Sequence, residues 1–211
     1  MRDDAFVALA KSGDQEAIAS VPERAGGCDE NGVTALMWAL YYGHPETAEQ
    51  IAALRPVNLF EAAALGWVEP LQECLELHPD EVDSRSPDGF TALGFASFFG
   101  KLDAVRLLVE KGANPNLPSE NAMGVAPLHS ALAGGYLEVV HHLVNHGADV
   151  NLASGEGWTP LHYAGDLGDE ELVRFLRSHG AMCGSLNAIG VDAEGHARSV
   201  GHVTAADAMR D

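Results

Sequence analysis

A block of about 33 residues recurs along this chain, and it limits the fold more than any other feature. A unit that short cannot bury its own apolar face and must stack on its neighbours. Three copies are clearest: Thr91-Ala92-Leu93-Gly94-Phe95-Ala96, Ala126-Pro127-Leu128-His129-Ser130-Ala131 and Thr159-Pro160-Leu161-His162-Tyr163-Ala164. Each leads to a glycine, Gly100, Gly135 or Gly168, and each of these is followed 12 residues later by another, Gly112, Gly147 or Gly180.

Between the paired glycines lie segments whose apolar residues recur at helical spacing, as in Val105/Leu108/Val109, Val140/Leu143/Val144 and Val173/Leu176. Charged residues fill their other faces, so each copy reads as helix, turn, helix. Thr159 can cap the first helix, with Pro160 where a missing amide hydrogen costs nothing. Gly112, Gly147 and Gly180 suit a left-handed C-terminal cap. Turn-rich stretches with Gly89, Gly124 or Gly157 precede each first helix and read as projecting hairpin-like loops.

The pattern resembles the ankyrin repeat, whose T-P-L-H-x-A signature Thr159 to Ala164 matches at every signature position. The likeness is strong over residues 85–182. It weakens through Thr34-Ala35-Leu36-Met37-Trp38-Ala39 and again through Leu59-Phe60-Glu61-Ala62-Ala63-Ala64. The expected fold is an all-α repeat solenoid of five to six helix-turn-helix units plus a degenerate C-terminal cap. Its divisions fall at residues 1–27, 28–57, 58–84, 85–119, 120–152, 153–187 and 188–211.

Two places depart from the pattern. The first-helix glycines Gly43 and Gly66 are only 23 residues apart, so the stretch from Arg55 to Phe60 has room for a tight connection and none for a projecting loop. Near the end, Asp192-Ala193-Glu194-Gly195 matches the loop turn and puts Arg198-Ser199-Val200 at the Pro-Leu-His positions, whereas Thr204-Ala205-Ala206-Asp207 offers a second register. Both registers give a polar capping repeat.

Stacked repeats present a concave surface of first helices and loops, and the resemblance implies that partners bind there. The residue after the signature His, counted back from the glycine, is Ala8, Trp38, Glu61, Phe95, Ser130 or Tyr163. Two residues before the glycine stand Lys11, Tyr41, Ala64, Phe98, Ala133 and Asp166, and just before the signature Thr stand Val33, Phe90, Val125 and Trp158. Aromatic residues dominate binding hot spots. The candidate partner-binding residues are therefore Trp38, Tyr41, Phe90, Phe95, Phe98, Trp158 and Tyr163. The plainer reading of Tyr41, Tyr42, Phe98 and Phe99 is packing between neighbouring helices.

Thirty-one acidic against 12 basic residues give a formal charge of -19, which repels a phosphate backbone and an anionic membrane surface alike. The expected partner is another protein with a basic contact face. The reading is an adaptor or inhibitor, monomeric with a homodimer as the alternative. Three cysteines without C-x-x-C spacing, no apolar run long enough to span a bilayer and no leader pattern point to the cytoplasm.

Chemistry finds few footholds. No phosphate-binding glycine loop, nucleophile elbow or HExxH motif is present, so no catalytic residue and no cofactor is assigned. The alternative function is a metal- or small-molecule-binding protein using His141, His142 and His146 or the irregular second-third repeat junction. His142 and His146 alone supply too few ligands for zinc, and His146 and His179 suit the negative end of a helix. For His129 and His162 the resemblance implies structural hydrogen bonds linking adjacent loops.

Overall fold

Most first helices begin at a residue whose side chain satisfies an amide left free at the helix start, the exceptions being those that follow Ala126 and Thr159, whose side chains make no such bond. The Thr34, Asn58, Thr91 and Asp192 side chains accept from the backbone amides of Met37, Glu61, Gly94 and Gly195, at 3.3, 3.0, 3.0 and 2.8 Å. In the computed structural model, which describes residues 1–210, the chain forms fourteen α-helices and no strand among the described residues.

The helices come in antiparallel pairs: α1 (Asp4–Ser12) with α2 (Gln15–Ala19), α3 (Ala35–Tyr41) with α4 (Pro45–Ala52), and α5 (Leu59–Leu65) with α6 (Val68–Leu77). Next are α7 (Ala92–Phe98) with α8 (Leu102–Glu110), α9 (Pro127–Ala133) with α10 (Leu137–Asn145), α11 (Pro160–Leu167) with α12 (Glu170–Ser178), and α13 (Ala193–Ser199) with α14 (Val203–Ala208). The first helices stack in chain order from α1 to α13. The fold is an all-α repeat solenoid.

Hairpins at residues 28–34, 85–91, 119–125, 154–158 and 186–192 project beside the first helices. Their tips are joined by backbone bonds from Glu120 to Gly89, Gly155 to Met123 and Ala188 to Glu156, each 2.9 Å. Gly89 and Gly157 allow this close approach: both have positive φ, +87° and +76°, and a Cβ there would lie 3.0 Å from the next hairpin's backbone. On another edge, the Asn116 amide donates to the Gly147 carbonyl and accepts from the Asp149 amide. Asn151 does the same to Gly180 and Met182.

No hairpin lies between α4 and α5. Residues 53–58 make the whole connection, and Arg55 within it forms a two-pronged pair with Glu61, at 2.8 and 2.5 Å. The core divides near this junction. One buried cluster runs from Phe6 to Ala64 and includes Phe95, and the other runs from Leu59 to Met209.

Two readings by glycine spacing are corrected here. Helix α5 ends directly at Gly66, so Asn58 is its cap and Glu61 stands at the third helical position, where His129 and His162 stand in later copies. Glu61 is wholly buried and not on the open face. In the C-terminal unit Arg198-Ser199-Val200 do not take the Pro-Leu-His positions, and Thr204-Ala205-Ala206-Asp207 lies in the terminal helix α14. Gly190, with φ +78°, takes the hairpin-turn position, Asp192 replaces the signature Thr as cap, and α13 and α14 follow as an ordinary pair. A carboxylate can cap as well as a hydroxyl, so loss of the signature letters did not alter the geometry.

Candidate partner-binding groove

The structural histidines hold the hairpins that frame the groove. In both His129 and His162 the Nδ1 atom accepts the amide of the helix-capping residue, Ala126 at 3.0 Å and Thr159 at 3.1 Å. That bond fixes the proton on Nε2, which donates to the Leu152 carbonyl just ahead of the hairpin at 154–158, at 2.8 Å, and to the Val191 carbonyl within the hairpin at 186–192, at 3.1 Å. Burial lowers the pKa of both rings.

In the inner angle between hairpins and first helices lies an open groove of about 610 Å³, lined almost wholly by apolar atoms. It runs from Trp38 and Tyr41 on α3, past Phe90, Phe95 and Phe98 beside α7, to Ala133 and Tyr163 on α9 and α11. Six of the seven aromatic residues singled out in the sequence therefore line one surface.

Their roles differ. Phe98 is 43% exposed and stands free over the groove. Trp38, Tyr41, Phe90 and Tyr163 are half-buried. Phe95 is corrected: at 2% exposure it is core. Its ring packs 5.3 Å from Phe90, 6.2 Å from Phe60 and 6.4 Å from Tyr41, closing the interior beside the short α4 to α5 connection. Trp158 lies outside the groove lining, half-buried 5.4 Å from Tyr163 and 4.7 Å from His196 on α13.

The sequence reading passed over Met123, a hairpin-tip residue 52% exposed on the groove wall, and Asp88 at the groove's mouth. A single apolar residue in a turn has no periodicity to mark it. Its place just before Gly124 was the one available signal.

Where the third copy lacks a hairpin, the groove opens into a second hollow of about 560 Å³ walled by Asp29, Trp38, Tyr41, Arg85, Asp88 and Glu120, among others. Tyr41 reaches across to donate to Asp88 at 2.5 Å, and burial followed by that bond holds its phenol far above the usual range. Trp38 donates its indole N–H to Asp29 at 3.0 Å, while the Lys11 ammonium sits 3.6 Å from its ring centroid.

The histidines on the second helices do not assemble into a metal site. His141 packs 4.2 Å from Phe175, and His142 stacks on His146 at 4.0 Å. Among the described residues no three His, Cys, Asp or Glu side chains converge as ligands. Burial, with His146 and Arg106 nearby, lowers the His142 pKa. The three cysteines are half-buried and unpaired by disulfides, and no described helix is long and apolar enough to cross a membrane.

Comparison with known proteins agrees with this geometry. A family model for ankyrin repeats in three copies matches residues 59–154 and 119–187. BCL-6 corepressor-like protein 1 of Homo sapiens is 34% identical over 121 residues, covering 57% of this chain and 6% of that protein. Ankyrin repeat and SAM domain-containing protein 6 of Rattus norvegicus is 35% identical over 136 residues, 64% of this chain and 15% of its own length. The RelA-associated inhibitor of Mus musculus is 37% identical over 86 residues, 41% of this chain and 10% of that protein. The chain thus spans a small fraction of these relatives.

Proposed function

This chain belongs to the ankyrin-repeat family, and from that premise we propose that it is a non-catalytic adaptor or inhibitor that grips one protein partner in the groove between its hairpins and first helices. The observation that carries the reading is the groove itself. About 610 Å³ of open, apolar-walled space, with Phe98 and Met123 standing exposed over it, has no covering element among the described residues. Exposed apolar surface of this kind marks interaction sites. One relative's name, RelA-associated inhibitor, is consistent with inhibition by occupancy of a partner's surface.

The charge of -19 supports a partner with a basic contact face, since such a field accelerates encounter with a cationic surface and repels acidic ones. Unpaired cysteines support action in a reducing compartment such as the cytoplasm. The protein works as a monomer, which light scattering checks against its mass of 22.3 kDa.

Affinity capture from native lysate with wild type beside a folded Phe98→Ala/Met123→Ala variant tests the site. A partner retained by wild type and lost by the variant is the expected result. Equal capture by both moves the interface off the groove and overturns the reading.

A further inference from the structure

We propose that the groove receives a short segment of the partner in which an apolar side chain fills the aromatic trough and a neighbouring cation, arginine in preference to lysine, enters the hollow left by the missing third hairpin. This deepens, and rests on, the groove reading above.

The hollow and the trough are continuous, because Trp38, Tyr41 and Asp88 wall both. Two carboxylates, Asp88 in the wall of both and Asp29 in the wall of the hollow, form no ion pair among the described residues, and Arg2 acts on Asp29 only at longer range. Asp29 accepts from the Asn31 and Val33 amides, both at 2.9 Å, and from the Trp38 indole at 3.0 Å. Asp88 accepts from the Ser86 and Tyr41 hydroxyls, each at 2.5 Å. All these donors are neutral, and neither carboxylate is in an ion pair among the described residues. Arg85, on the same wall, is already committed to Glu120 at 2.9 Å and to the Pro118 carbonyl.

The neutral donors fix both carboxylates in position without cancelling their charge. A partner covering them with neutral or acidic surface would strip water from two charges and return nothing. A guanidinium suits the place best. It can bond a carboxylate through two N–H groups and lie flat on an aromatic face, and the hollow is walled by Asp29 and Asp88 together with Tyr41 and the Trp38 ring on which Lys11 already rests. The protein's own Lys11 shows that this wall takes a cation, its ammonium resting on the Trp38 ring. The apolar half of the motif follows from the trough, whose exposed members Phe98 and Met123 have no polar atom to offer except a thioether sulfur.

Panning a phage library of random dodecapeptides on the immobilised full chain reads the preference directly. The expected winners carry a cation, arginine more often than lysine, within a few residues of an aromatic or aliphatic side chain. Against an Asp29→Asn/Asp88→Asn variant of unchanged melting temperature, the basic preference disappears and the affinity of the synthesised winner falls about tenfold. An uncharged or acidic consensus, no consensus, or equal affinity for wild type and variant overturns the cation seat. Loss of the apolar preference on Phe98→Ala reports on the trough alone, so failure of the seat is distinguishable from failure of the groove.

Discussion

Replacing Glu61 with alanine should destabilise the protein more than any surface change. Its carboxylate has no exposed surface and takes four hydrogen bonds: two from Arg55, one from the Thr34 hydroxyl at 2.6 Å and one from the Asn58 amide at 3.0 Å. Arg55 is 19% exposed, so removal of Glu61 leaves a largely buried guanidinium with no counter-charge. Its remaining bonds, to the Ala25 and Pro56 carbonyls, supply no negative charge. Breaking one side of a buried pair costs about 3 to 5 kcal/mol. That is a large share of the roughly 5 to 15 kcal/mol that holds an ordinary domain together. Urea unfolding followed by circular dichroism, with m near 2 kcal/mol/M, should show the midpoint falling by about 2 M. The double variant Arg55→Met/Glu61→Leu should lose much less than the sum of its two single changes, because it leaves no charge stranded. A Glu61→Ala loss below about 1 kcal/mol would place the pair in the energetic class of exposed ion pairs and refute the argument.

Phe95→Ala should cost about 3 to 5 kcal/mol as a core truncation, whereas Phe98→Ala, three residues along the same helix, should change stability by under about 0.5 kcal/mol. Equal losses in thermal or urea unfolding would show that their burial has been misassigned. A pH response should follow from His129 and His162, whose folded pKa values lie below the unfolded value of about 6.5. The unfolded chain takes up protons first as pH falls. The stability these rings provide is therefore complete above about pH 6.5 and declines below it, towards their folded pKa values. Comparing the unfolding free energy at pH 7.5 and 5.5 checks this: a His129→Gln/His162→Gln variant should show a shallower decline, and an unchanged slope would contradict it.

The repeat signature made copies four to six readable because Thr159, Pro160 and His162 each have a local job at a helix start, and local jobs leave letters behind. What could not be read was whatever depended on a neighbouring copy. Phe95 looks like an exposed anchor from its place in the register, and it is core because the copy before it lacks a hairpin and Phe60 meets it from α5. Glu61 was assigned to the open face because the glycine count assumes one residue between helix and glycine, as at Tyr42 and Phe99, whereas Gly66 follows α5 directly. At the C-terminus Asp192 does the work of threonine, so the cap survived although the letters that advertise it did not. The groove's aromatic wall was visible as a row of ring side chains, while the hollow beside it arises from an absence. A gap of 23 residues between glycines marked where something was missing but carried no information about what would line the vacancy.

The ladder of hairpin tips has a mechanical corollary. From Gly89 onward, load applied along the stack passes from tip to tip through backbone hydrogen bonds. Between the hairpins at 28–34 and 85–91 it must instead pass through side chains: the Tyr41 to Asp88 bond and the rings of Phe60 and Phe95. Pulled from its two ends, the protein is a spring with one compliant coil, and that coil is the one that sets the width of the groove's mouth.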